Sequence, residues 1–197
     1  MKNKPKLLIF LHWFWFDKDN NKESIKQLSK WLWIDCFSFN ALFDSQRERG
    51  GYSRFWIDKI TKESTFDDKF FKSIDYIIFT INKELEKRKI NREDIILCGR
   101  SQWAFMSLYL WLTHDKKCHS IISLCGFTRE WTKINIKSKP QTIWLEAKND
   151  TVLSQERKTS FKKLQQDWIK VEYLLDKKSD HDNISKEAIK SIINYYK

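Results

Sequence analysis

Short runs of consecutive apolar residues recur along the chain at positions 7–12, 34–39, 95–99, 120–125, 142–147 and 171–175. Runs of this length without polar alternation predict strands buried on both faces. Between them the apolar positions take a helical spacing, over 22–32, 67–88, 102–113, 154–167 and 184–196. Strands alternating with helices predict an α/β fold with a mostly parallel central sheet and helices on both faces. The stretch 43–62 follows neither period and carries Gly50 and Gly51, so it is expected to be a long surface loop of the kind that often lines a site. With no repeat, no linker and a length of 197 residues, the chain reads as one domain over 1–197.

Composition changes this picture at one point: the chain has 10 Trp and only 4 Gly. Several tryptophans stand where an α/β protein uses glycine. Trp33 and Trp168 lie between the end of a helical pattern and the start of a strand, the position just past a helix where a left-handed backbone favours glycine. Trp13 and Trp15 follow the first strand, where a tight turn is expected. Gly99-Arg100-Ser101-Gln102-Trp103 falls between a strand and a helix, and becomes G-x-S-x-G if Trp103 is read as glycine. The economical explanation is UGA codons, glycine in some bacterial lineages, translated here as tryptophan. Reading Trp13, Trp15, Trp31, Trp33, Trp103, Trp111 and Trp168 as glycine raises glycine from 4 to 11 and lowers tryptophan from 10 to 3, a near-ordinary composition. Trp56 is kept as tryptophan, and Trp131 and Trp144 stay undecided.

The net charge of +11 raises the question of an anionic partner. The charge is dominated by lysines scattered along the chain, alongside abundant Ile, Asn and Phe, as AT-rich coding would give; no nucleic-acid recognition element accompanies it. No apolar stretch approaches the ~20 residues of a membrane span. The basic Lys2, Lys4 and Lys6 followed by an apolar run resemble a secretory leader, but His12 interrupts the run and no small-residue cleavage site follows, so it is read as a first buried strand. Cys36, Cys98, Cys118 and Cys125 show no C-x-x-C spacing, which fits free thiols in a reducing cytoplasm. Neither the histidines nor the cysteines show metal-ligand spacing, and no phosphate-binding glycine loop is present, so no metal or cofactor is expected. Self-association into a homodimer is left open.

With the glycine reading, the sequence resembles the α/β-hydrolase superfamily and, within it, the phospholipase/carboxylesterase and acyl-protein thioesterase family. The resemblance is carried by Leu8 to Trp15 (similar to LHGxG), Gly50 to Asp58 (similar to GGxRxWFD), Gly99 to Leu112 (similar to GFSQGGALALYLAL) and Ser123 to Phe127 (similar to ALSGF). It implies a serine hydrolase acting on a small-molecule ester or thioester. A serine hydroxyl needs an imidazole to take its proton, and the imidazole needs a carboxylate to orient it. The fold's chain order is nucleophile, acid, base. After Ser101 the histidines are His114, His119 and His181, of which only His181 follows a plausible acid. Asp150 sits in what looks like the family's acid loop, so Ser101, Asp150 and His181 form the candidate triad. Asp176, Asp180 and Asp182 remain rival acids. The oxyanion hole is expected from the backbone N–H of Gln102 and, by resemblance, of Phe14. Phe14, Phe16, Phe43, Tyr52, Phe55 and Phe127 are candidates for an acyl pocket. The chain departs from the family where the acid strand ends in Glu146-Ala147 instead of a His-Gly pair. Were all ten tryptophans genuine, a non-catalytic interaction protein on the same scaffold would be the better reading.

Overall fold

The computed structural model describes residues 4–11, 22–40, 42–44, 52–53, 68–114, 117–127, 134–151, 154–167, 169–180 and 184–196. Strands β1 (Leu7–Leu11), β2 (Asp35–Ser38), β5 (Ile95–Arg100), β6 (Ser120–Leu124), β7 (Gln141–Ala147) and β8 (Val171–Asp176) form one sheet in the order β2-β1-β5-β6-β7-β8. Every neighbouring pair is parallel. Helices α1 (Lys22–Leu32), α2 (Asp68–Arg88), α3 (Gln102–Thr113), α4 (Ser154–Gln166) and α5 (Lys186–Tyr196) connect or follow the strands.

Side chains alternate across a strand, so each central strand feeds two cores. Leu7, Ile9, Leu11, Ile95, Leu97, Ile121 and Trp144 face α2, α3 and α4. Leu8, Phe10, Ile96, Cys98, Ile122, Leu124, Ile143 and Leu145 face α1 and α5. This is the doubly covered parallel sheet that the apolar runs predict. The long helix α2 buries Phe70, Ile74, Ile77, Ile81 and Leu85, a single stripe at helical spacing. Helix α3 is buried from Gln102 to Leu108 and again from Leu110 to Leu112, because it lies between the sheet and its helical neighbours. Lys6 Nζ meets Asp94 Oδ2 at 2.7 Å, where Asp94 is buried, and fastens the start of β1 to the turn before β5.

Three sequence expectations need correction. Among the described residues the runs at 34–39 and 171–175 form the outer strands of the sheet, and β8 is largely exposed along its middle, with Tyr173 and Leu175 open to solvent. The 43–62 stretch is not wholly irregular, since β3 (Phe43–Asp44) pairs antiparallel with β4 (Tyr52–Ser53) within it. The last helix begins at Lys186 and not at 184, because the Ser185 hydroxyl accepts the Ala188 N–H at 3.0 Å as an N-cap.

The expected left-handed residue after α1 is present. Trp33 has φ 57°, its N–H bonds to Lys30 O at 3.2 Å, and Ile34 N–H bonds to Ser29 O at 3.2 Å, the paired contacts of a Schellman cap. Its indole is 86% exposed, so no burial compensates the strained backbone. Helix α2 ends in the same way on Lys89, at φ 55°, so a side chain at this position is tolerated at a cost. Trp168, the other such position, lies outside the described residues, as do Trp13 and Trp15. Trp33→Gly is expected to stabilise the protein by roughly 1 kcal/mol, a rise in Tm of about 2–4 °C for a chain of this size, measured by thermal unfolding of the two proteins.

Candidate active site

In the strand order, the chain leaves β1 toward β2 on one side and later proceeds from β5 toward β8 on the other. The crevice at the carboxyl ends of β1 and β5 is therefore the switch point, where ligands of open α/β sheets bind. Ser101 stands there as the single residue between the end of β5 and the start of α3.

Its geometry follows from the neighbours on either side. Ser101 N–H still belongs to the sheet, donating to Leu124 O at 2.8 Å, whereas its carbonyl already accepts the Ala104 N–H at 3.1 Å and the Phe105 N–H at 3.3 Å. One residue thus reverses the chain from strand to helix, and it does so at φ 54° and ψ −122°, a sparsely populated backbone for a residue with a side chain. The reversal brings the strand backbone against the helix backbone. A Cβ on Gly99 would lie 2.5 Å from Trp103 C and 2.7 Å from Ala104 N, so the position admits only glycine. Just past the end of β6, Cys125 takes φ 50°. Gly126 then packs against the first turn of α3, where a Cβ would lie 2.7 Å from Ala104 Cβ.

Asp150 follows β7 after a two-residue turn closed by its own N–H on Ala147 O at 3.1 Å. Its carboxylate is fully buried and meets Arg157 Nη1 at 3.1 Å through Oδ2. Arg157 Nη2 also donates to the Asp150 main-chain carbonyl at 2.6 Å. Arg157 was not foreseen from the sequence; the one signal was an arginine in a chain whose cations are mostly lysine. The Cys125 thiol is buried just past β6. Burial pushes its pKa up to about 11, while Arg100 lowers it, Asp150 raises it and Arg157 lowers it.

Two of the candidate histidines are excluded by position. His119 precedes β6, with its N–H on Ile95 O at 3.0 Å, and His114 ends α3, where its ring lies beside Trp111. Both therefore sit at the amino-terminal edge of the sheet, on the order of 20 Å from Ser101 along the strand direction. His181 and Phe14 lie outside the described residues, as do His12, Phe16, Phe55 and Asp182. Gln102 is buried as the first residue of α3, and Phe127 is buried just past β6.

Among the rival acids, Asp176 is engaged in the loop that follows β8. Its carboxylate accepts a hydrogen bond from the Ser179 hydroxyl and another from the Lys178 N–H at 3.2 Å. Ser179 Oγ in turn accepts the Ser185 N–H at 2.8 Å, so the loop is fastened to the start of α5. Where the family has a histidine, Glu146 accepts the Tyr173 hydroxyl at 2.9 Å across β7 and β8.

Trp103, Trp111 and Trp144 are all fully buried on the α2–α4 side of the sheet. The indole N–H groups of Trp111 and Trp144 have no hydrogen-bond partner, a cost of about 1–3 kcal/mol for a buried donor. Trp111 also carries the Arg92 guanidinium 5.7 Å from its ring centroid, and Trp144 packs on Phe161 at 6.1 Å, as core aromatics do.

The model of one protein family, described as Phospholipase/Carboxylesterase, matches residues 6–197. The chain belongs to that family. Membership makes it a serine hydrolase of the esterase/phospholipase type. Among solved structures, the hydrolase is similar in fold to esterase PE8, with 20% identity, a TM-score of 0.82, and coverage of 96% of this chain and 90% of that one. It is similar to SOBER1 from Arabidopsis thaliana, with 18% identity, a TM-score of 0.79, and coverage of 98% and 97%. A Bacillus cereus carboxylesterase is also similar, with 12% identity, a TM-score of 0.75, and coverage of 100% and 89%. No curated protein matches the sequence significantly. Among the described residues, no helix is long and apolar enough to cross a membrane.

The Asp176 network carries a pH signature. Burial pushes its carboxyl up, but hydrogen bonds from the Ser179 and Ser185 hydroxyls and from the Lys178 and Ser179 N–H groups outweigh burial and hold its pKa below the usual aspartate value. A carboxyl depressed on folding stabilises the protein above its unfolded pKa, and that stability is lost as pH falls through the folded value. Asp176→Asn is therefore expected to have a lower Tm than the unmodified protein at pH 7. The gap should close as pH drops below about 4, followed by thermal unfolding across a pH series.

Proposed function

We propose that the protein hydrolyses small carboxylic esters or thioesters through an acyl-enzyme intermediate. Ser101 Oγ attacks the acyl carbon while His181 takes its proton. Asp150 orients the imidazole and stabilises its charged form. The tetrahedral oxyanion is received by the backbone N–H groups of Gln102 and Phe14. The imidazolium then gives its proton to the departing alkoxide or thiolate. Water, deprotonated by the same imidazole, releases the acid and regenerates Ser101. The observation that carries this reading is the backbone of Ser101, held at positive φ between β5 and α3 at the switch point of the sheet. Strain of this kind persists where surrounding structure enforces it, as a nucleophile elbow does. The four cysteines fit operation in a reducing cytoplasm; Cys98, Cys118 and Cys125 are free and buried.

The same reading includes the glycine assignment of Trp13, Trp15, Trp31, Trp33, Trp103, Trp111 and Trp168 in the natural polypeptide. One position favours it: Trp33 is a left-handed, exposed cap. The full burial of Trp103 and Trp111 in the core, the latter beside Arg92, weighs the other way at those two positions.

Ser101→Ala is expected to lower turnover of p-nitrophenyl and acyl-thioester substrates by roughly 10³-fold or more, with unchanged circular dichroism. Retained turnover would remove the assignment. The glycine reading is checked by the coding triplets and by the intact mass of protein isolated from its own cells: UGG codons, or a mass that retains the indoles, would overturn it and favour a binding protein on a hydrolase scaffold.

A further inference from the structure

Arg157, in the first turn of α4, is among the largest fully buried side chains of the molecule, with 1% of its surface exposed. A buried guanidinium is costly; an aliphatic side chain of similar volume in its place is often neutral or stabilising. Its side chain is nevertheless spent on Asp150 at two points, the carboxylate Oδ2 at 3.1 Å and the main-chain carbonyl at 2.6 Å. The first contact is an ion pair without hydrogen-bond geometry, and it holds the carboxylate's charge beside the guanidinium. The second fixes the turn that carries it. One guanidinium reaches both atoms, pairing with the carboxylate through Nη1 and hydrogen-bonding the carbonyl through Nη2, where a lysine ammonium is a single point charge on a flexible stem.

We propose that Arg157 is a positioning residue for the acid of the active site, holding Asp150 from the α4 side so that its carboxylate and the turn that carries it keep one orientation for the base of the reaction. This inference rests on the Ser101–His181–Asp150 reading. Arg157 touches no reacting atom and acts through Asp150 alone. Its removal should therefore slow the chemical step, leave substrate binding in place, and matter only while residue 150 is an aspartate.

The test is a double-mutant cycle on p-nitrophenyl ester hydrolysis by the full chain, with Arg157→Met, Asp150→Asn and the combined variant, and with Ser101→Ala as control. Arg157→Met is expected to lower kcat by about 10²-fold with KM within about twofold. On the Asp150→Asn background the same substitution should change kcat by less than about twofold. The combined variant removes both buried charges and so avoids the uncompensated carboxylate that Arg157→Met leaves behind. If Arg157→Met fails to fold, Arg157→Lys replaces it in the cycle, with a loss of about tenfold expected while Asp150 is present. Unchanged kcat in the Arg157 variant overturns the proposal, and so does a loss that recurs in full on the Asp150→Asn background. Turnover that survives in Ser101→Ala overturns the triad reading itself, an outcome distinct from failure of the Arg157 cycle.

Discussion

The contact between the backbone of β5 and the backbone of α3 organises the rest of this molecule. Gly99 lets the helix main chain come closer to the strand than any side chain would permit, and Ser101 is left to turn the chain in a single residue. Everything around that contact sustains it. The β5–β6 ladder extends to Ser101 N–H, the first carbonyl of α3 belongs to Ser101, and Gly126 allows the end of β6 to lie against Ala104. Ser101 and Cys125 both take positive φ at adjacent strand ends, while Trp33 and Lys89 do so where α1 and α2 end, and the centre of the sheet keeps ordinary strand pairing.

Electrostatics follow the same geography. The chain owes its charge mostly to lysine, yet the arginines of the described residues hold specific places: Arg88 pairs with Glu84 and Asp35, Arg92 lies over Trp111, and Arg100 and Arg157 are buried near the carboxyl edge of the sheet. Where an exposed cation is needed, lysine serves. A delocalised, weakly hydrated guanidinium is found where the charge must be buried or shared between two acceptors.

The fold was legible because the strands are short and apolar and the helices between them keep one period. Edge strands were the exception: Glu172 within β8 and Asp35 at the start of β2 are single charged positions in their apolar runs, a weak local sign of the exposure that an edge place brings. The places of Ser101 and Asp150 at the carboxyl edge were legible because each follows an apolar run, so sequence position reports the sheet edge. That of Arg157 was not, since its partner lies seven residues away and the burial that makes it unusual comes from the surrounding fold. The left-handed residue at Trp33 was visible for the opposite reason, because helix termination is decided by a few adjacent residues.

The cysteines give the molecule a chemical character of their own. Burial raises the pKa values of Cys98, Cys118 and Cys125, so at neutral pH almost none of these sulfurs is present as the reactive anion. Alkylating agents and mild oxidants meet, in effect, spectators. The buried thiols are therefore poor targets for thiol-directed labels in the folded protein, and unfolding is what would bring them within reach.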